Sequence, residues 1–379
     1  MKALINGKII QGNNILTEQA IIFDECIRAI LPQSEIDTAQ LSGIIDAHDC
    51  FISPGFINMH IHGCSGFDTM DDSAESIIAM SEILPQTGVT AFLPTTMTYD
   101  LAAIKQVMDR VRNASKNING ARVLGANMEG PFISRKYKGA HDPQHIVLPD
   151  YNIIKEYSDV IKIITVAPET IQGSSFIEEC KKNDIVLSIG HSAATYEETK
   201  LAIQQGFSHI THMYNAMPIF NHRKPGVIGA AMDSAVMCEL ITDNIHVHPA
   251  MQRILLQQKG IDNIVLVTDS MRACMLPEGK YDLGGQVVIV DDGTARLKNG
   301  VIAGSLLTMN KAIKNFKENT SISFTEAVKT VTVNPAKELN IYNRQGSIDI
   351  GKVADITIFN DEFGIETTIV NGNIKYRRN

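Results

Sequence analysis

Residues 51–63 read Phe51-Ile52-Ser53-Pro54-Gly55-Phe56-Ile57-Asn58-Met59-His60-Ile61-His62-Gly63, an apolar, β-prone run that ends in two histidines. A strand covered on both faces has this texture, with its polar groups pushed to the ends. The pattern recurs along the chain. Comparable runs fall at 89–94, 122–129, 161–167, 185–189, 207–211, 236–242 and 264–268, which together with 51–58 make eight. Helix-like stretches at 73–86, 101–114, 174–182 and 196–205 separate several of them. Eight apolar strands alternating with helices predict an α/β chain folded as a (β/α)8 TIM barrel. A doubly wound sheet is the alternative, but no GxGxxG or GxxxxGK[ST] follows any of these runs.

Barrel enzymes carry their chemistry at the C-terminal ends of the strands. His60 and His62 follow the first run, Glu129 closes the third, His191 follows the fifth, His212 follows the sixth and Asp269 ends the eighth. Spaced i, i+2, His60 and His62 project from one face of an extended segment. That suits a chelating pair, although a lone HxH more often marks two turn histidines; His191 and His212 taken singly are ordinary structural histidines. Jointly, four imidazoles and two carboxylates at strand ends would converge on the barrel axis. Such a nitrogen and oxygen donor set accepts Zn²⁺, Fe²⁺, Co²⁺ or Mn²⁺, and the absence of cysteine from it favours a catalytic over a structural metal.

Both chain ends have a different texture. Short β-prone runs at 2–5, 8–10, 20–23 and 27–31 are separated by turns such as Asn6-Gly7 and Gly12-Asn13-Asn14. Similar runs at 346–348, 354–359, 366–370 and 374–376 close the chain, the last two joined by Asn371-Gly372, a hairpin signal. The expectation is a small discontinuous β-sandwich domain built from 1–52 and 344–379, flanking a barrel of 53–343.

The 379 residues are 44% hydrophobic and 20% charged with net charge −8, as expected of a soluble globular protein. No basic stripe suggests nucleic acid, and no apolar run is long enough for a membrane. The six cysteines lie far apart without a CxxC pair, and no signal peptide is evident, which together imply a cytoplasmic protein. No HExxH and no GxSxG occur, which disfavours a zincin or an α/β serine hydrolase.

Residues 54–63 resemble the PGxIDxHxHG opening of amidohydrolases. Glu129-Gly130-Pro131-Phe132, Lys138-Gly139-Ala140-His141, Gly190-His191-Ser192, residues 211–217 (THMYNAM), residues 243–247 (DNIHV), Thr268-Asp269-Ser270 and Ala303-Gly304-Ser305 follow in order. From end to end the chain is similar to the N-acetylglucosamine-6-phosphate deacetylases. Asn58 stands where that family usually has Asp, which bears on the support of the first histidine pair.

The resemblance implies hydrolysis of N-acetyl-D-glucosamine 6-phosphate to D-glucosamine 6-phosphate and acetate by metal-activated water, in amino sugar catabolism. It implies one or two divalent metals per subunit. Glu129, His191 and His212 would hold one metal, with Glu129 bridging to a second held by His60, His62 and Asp269. Asp269 would be general base and then general acid, and His141 would stabilise the oxyanion, or equally contact substrate through its backbone alone. Ala140, His141, Asn215, Ala216, His246 and the Ala303-Gly304-Ser305 turn would contact the sugar. Arg223 offers a planar fork to the phosphate, reaching the neighbouring active site of a homodimer; as a bare residue it reads equally as a solvated surface cation. His248 and Cys64 read as structural. Two rivals remain. A cyclic-amide hydrolase would use a carbamylated lysine as bridging ligand, whereas here Glu129 occupies that place and no lysine sits at that strand end, and a non-catalytic phosphosugar-binding barrel would leave Asp269 without a task.

Overall fold

The structure, a computed structural model, describes residues 1–378. Eight strand positions close into a parallel barrel: Phe56–Ile61, Val89–Pro94, Ala126–Glu129, Ile161–Val166, Val186–Ile189, His209–Ile210, Met237–Leu240 and Ile264–Leu266. Adjacent members pair in parallel from Ala126–Glu129 round to Ile264–Leu266, as do Phe56–Ile61 and Val89–Pro94. Bridges Thr95↔Asn127 and Ile61↔Ser270 join the two arcs, so no edge is left open. The second strand is buried along its whole length, as a strand covered by helices on one side and barrel filling on the other must be.

The helices begin where the sequence supplies caps. Asp100 accepts from Ala103 N–H to start Leu101–Ala114, and Thr195 with Glu198 forms a capping box at the head of Tyr196–Gln205. Each such cap is worth ~1 kcal/mol and fixes where the strand-to-helix loop stops.

Three corrections concern strands. The run at 51–58 is not one strand: Phe51–Pro54 belongs to a second sheet, and the barrel strand begins at Phe56. The break falls at Gly55, where a Cβ would come within 2.1 Å of Thr90, so only a glycine lets the chain pass this close to the neighbouring strand. Residues 346–348 form no strand. The run at 122–129 is likewise divided, at Gly125 (φ +139°).

Phe51–Pro54 pairs with Lys8–Gln11 on one side and with Ile356–Phe359 on the other, in a six-stranded sheet drawn from both chain ends. A four-stranded sheet of Ile27–Pro32, Gln19–Phe23, Lys2–Ile5 and Gly43–Asp46 packs against it. Leu4, Ile21 and Phe23 share one core with Ile9, Ile52, Ile356 and Ile369, which makes the pair of sheets a sandwich. Asn371-Gly372 turns the hairpin between Ile365–Val370 and Asn373–Arg377, both turn residues having positive φ. A further antiparallel sheet of Gly279–Leu283, Gln286–Asp291 and Thr294–Leu297 is inserted after the eighth barrel strand. No helix among the described residues is long and apolar enough to cross a membrane.

Candidate active site

The strand ends bring the six expected donors together. Glu129 lies at their centre, almost wholly buried. Its Oε1 faces Nε2 of His212 at 3.0 Å and Nε2 of His191 at 3.1 Å. Its Oε2 faces Nε2 of His62 at 3.2 Å and Nε2 of His60 at 3.6 Å. Asp269 Oδ1 completes the second group, 3.1 Å from His62 and 3.4 Å from His60. One carboxylate thus offers an oxygen to each of two clusters.

Hydrogen bonding at the far ring nitrogens fixes which face each imidazole presents. Nδ1 of His191 meets the carbonyl of Tyr137 at 2.8 Å, Nδ1 of His62 meets that of Thr95 at 3.2 Å, and Nδ1 of His60 meets Glu239 at 2.9 Å. Carbonyl and carboxylate oxygens only accept, so each Nδ1 carries a proton and Nε2 is the nitrogen each ring turns inward. Burial lowers the pKa of His60 and His62, but the carboxylates of Glu239, Glu129 and Asp269 around His60, and of Asp269 and Glu129 around His62, outweigh it and raise both, His62 to about 9. His141 is the reverse. The backbone N–H of Thr98 donates to its Nδ1 at 3.0 Å, so its proton sits on Nε2. Burial, with His191 beside it, pushes His141 down to about 4, so the ring is neutral at pH 7. His141 is therefore a hydrogen-bond donor to the site even though its ring nitrogen lies close enough to Glu129 and His191 for the three to share a metal ion.

The residues fit a divalent cation. Nε2 of His191 and Nε2 of His212 lie 3.0 Å apart, and Nε2 of His60 and of His62 3.4 Å, with carboxylate oxygens alongside. Ring nitrogens and carboxylate oxygens gathered this closely favour a cation among them, and an imidazole and carboxylate set suits a borderline metal. Burial raises the Asp269 carboxyl, and His60 and His62 outweigh it, leaving the carboxyl below its ordinary range and ionised.

His191 (φ +47°), His212 (φ +29°) and Asp269 (φ +48°) all occupy the left-handed region. The chain turns sharply at each strand end to aim the side chain inward, at ~1–3 kcal/mol of backbone strain apiece. None is a glycine, so the sequence carries no mark of it. Asn58 donates from Nδ2 to Thr268 Oγ1 at 2.8 Å, tying the first strand to the eighth directly beneath His60 and Asp269. An amide can make that donation and a carboxylate cannot.

Above the cluster opens a cavity lined by Ala140, His141, Asn215, Ala216, His246 and Gly304, all expected at the site. Met97, Leu283, Val301 and Ile302 line it as well, and the sequence reading missed them. Leu283 belongs to the inserted sheet, and Gln286 of the same sheet donates to the Ala140 carbonyl. Ala303 and Ser305 do not line the cavity: Ala303 is fully buried, and Ser305 N–H donates to the Asp269 carbonyl at 2.7 Å, bracing the turn. Arg223 is also outside it, exposed on the loop before Gly226–Met232. His246 is held by Asp243 Oδ2 at 2.6 Å, while His248 caps Pro249–Lys259. Cys64 is buried, its thiol raised by burial, so a nucleophilic role has no support.

The chain matches the amidohydrolase family over residues 51–375. It is 40% identical over 337 residues to N-acetylglucosamine-6-phosphate deacetylase of Bacillus subtilis, covering 86% of this chain and 85% of that protein. It is 34% identical to the Haemophilus influenzae protein of the same name, covering 98% and 99%. The crystal structure of N-acetylglucosamine-6-phosphate deacetylase from Pasteurella multocida is similar at a TM-score of 0.94 and 31% identity, covering 98% of this chain and 99% of that one.

Proposed function

The chain belongs to the N-acetylglucosamine-6-phosphate deacetylases of the amidohydrolase family, and from that premise we propose that it hydrolyses N-acetyl-D-glucosamine 6-phosphate to D-glucosamine 6-phosphate and acetate. The observation that carries this reading is Glu129, whose two oxygens each face a pair of imidazole nitrogens beneath an open cavity.

Glu129, His191 and His212 would hold one divalent ion, and His60, His62 and Asp269 a second, with Glu129 shared. A bound divalent ion supplies Lewis acidity, lowering the pKa of a water and polarising a carbonyl. Asp269, ionised and at the cavity floor, takes the proton released as water oxygen bonds to the acyl carbon. When the C–N bond breaks, Asp269 returns that proton to the departing nitrogen. His141, with its proton on Nε2, donates to the amide oxygen as negative charge develops there. Ala140, Asn215, Ala216, His246 and Gly304 orient the sugar, and Arg223 of a second subunit binds the phosphate.

We further read the barrel as 53–343, with 1–52 and 344–379 forming the sandwich, and the protein as a cytoplasmic homodimer. Six unpaired cysteines support the reducing compartment.

The test is acetate release from N-acetyl-D-glucosamine 6-phosphate by the purified protein, with metal content measured before and after chelation. Chelation should abolish release, and added Zn²⁺ or Fe²⁺ should restore it. Bound metal without acetate release would move the substrate to another amide, and two ions per chain would support the two-position reading.

A further inference from the structure

Glu239 lies in the barrel strand Met237–Leu240, its carboxylate wholly buried, and the reaction above makes no use of it. Its Oε2 accepts from Nδ1 of His60 at 2.9 Å and from the backbone N–H of His212 at 3.1 Å. Its Oε1 accepts from Nε2 of His209 at 3.1 Å, and Nδ1 of His209 donates in turn to Oε1 of Glu338 at 3.2 Å. Imidazole and carboxylate alternate from the centre of the barrel to the end of the helix Val333–Glu338, where the Glu338 side chain is 12% exposed.

A buried carboxylate without partners is heavily penalised, and this one is satisfied on both oxygens. More than anchoring follows from the geometry. His62 and His191 take their tautomers from main-chain carbonyls, whereas His60 takes its tautomer from a side chain. The same carboxylate pins the backbone of His212, whose own Nδ1 has no partner among the described residues. Both halves of the cluster therefore lean on Glu239.

We propose that Glu239, backed by His209, is the positioning residue that holds His60 as its Nδ1–H tautomer with Nε2 free for a cation. This rests on the reading of His60 as a ligand.

The substitution Glu239→Leu removes the acceptor, and Glu239→Gln keeps one. In E239Q the introduced amide can turn its oxygen to His60 and its nitrogen to Nε2 of His209, which can give up that proton while still donating to Glu338. Metal-free protein labelled with ¹⁵N in histidine, held at a pH where His60 carries a single proton, reports the tautomer of each ring by its nitrogen shifts. Wild type and E239Q should show His60 as Nδ1–H, and E239L should lose that signature. Zn²⁺ titrated against a chromophoric chelator should bind the His60 position about 10–100-fold more weakly in E239L and near wild-type strength in E239Q.

A purely structural role would lower Tm in E239L without moving the His60 signal or the Zn²⁺ affinity, and that result overturns the proposal. So does an Nε2–H His60 in the metal-free wild type, a measurement that stands even where E239L fails to fold. His60→Ala separates the two readings. If H60A leaves Zn²⁺ binding unchanged, His60 is not a ligand and both fall. If H60A weakens binding and E239L does not, only the role of Glu239 falls.

Discussion

Thr98 is joined to His141 twice, by its backbone N–H at 3.0 Å and its hydroxyl at 2.8 Å from the same ring nitrogen, Nδ1. That contact separates His141 from its neighbours. Its Nδ1 accepts and its Nε2 carries the ring's proton toward the site, whereas His60, His62 and His191 each hold a proton on the far nitrogen, Nδ1. The expected outcome for His141→Asn is a kcat lower by about 10²–10³-fold with metal content unchanged. Elemental analysis beside steady-state kinetics checks it; a variant that loses metal would make His141 a ligand instead.

Gly130 is what allows Thr98 to come so close. A Cβ on Gly130 would lie 2.0 Å from Thr98 Oγ1, and Gly130 has φ +75°, where an L side chain is strained in any case. Gly130→Ala should push Thr98 away from His141, lowering kcat and costing ~1–3 kcal/mol of stability. Parallel thermal melts and kinetics test this. A fall in Tm with full activity would show that the Thr98 contact has no bearing on the His141 proton.

For Asp269→Asn the expectation is a kcat reduced by about 10²–10⁴-fold, since an amide can neither accept the proton from water nor deliver it to nitrogen. Glu129 and the four imidazoles remain, so most of the metal should stay bound. Retention of full kcat would assign the proton transfers elsewhere.

His209 makes stability depend on pH. Burial lowers its pKa, but the carboxylates of Glu239 and Glu338 outweigh burial and raise it to about 9, above its ordinary 6.5. With a raised folded-state pKa, the stabilisation is fully present below pH 6.5 and is lost as the pH rises through 9. The amount at stake is on the order of 3 kcal/mol. Urea unfolding from pH 6 to pH 10 should show a falling midpoint in the wild type and a flatter profile in His209→Gln. A flat wild-type profile would mean that the ring is neutral in the folded protein.

The barrel and the donor set were legible because chemistry-bearing residues stand out at the ends of apolar runs. The helices Leu101–Ala114 and Tyr196–Gln205 coincide with their sequence bounds, since their caps are local. Glu239 and His209 were also visible, as polar residues inside the runs at 236–242 and 207–211, but nothing local names their partners 27 to 179 positions away. The inserted sheet carried its own signal: Gly284-Gly285 and Asp292-Gly293 flank a run in which Val288 and Val290 are buried and Val287 and Ile289 exposed. The left-handed turns at His191, His212 and Asp269 left no trace, because the surrounding barrel imposes them on ordinary residues.

Arg223 offers the sharpest test of assembly. It is exposed and lies outside the cavity, and among the described residues its guanidinium makes no hydrogen bond or ion pair. The loop around it also displays Ile219 at 89% exposure and Phe220 at 48%, apolar surface that a second subunit would cover. If Arg223 completes the neighbour's phosphate site, Arg223→Ala should raise KM for the phosphorylated sugar by about 10–100-fold, the loss of a charge-assisted bidentate contact. Mixing this variant with Asp269→Asn then distinguishes the geometry. In a mixed dimer one site combines the intact Asp269 of one chain with the intact Arg223 of the other, so activity at low substrate should rise above that of either variant alone. Arg223 acting within its own chain would leave one defect in each site and yield no such gain.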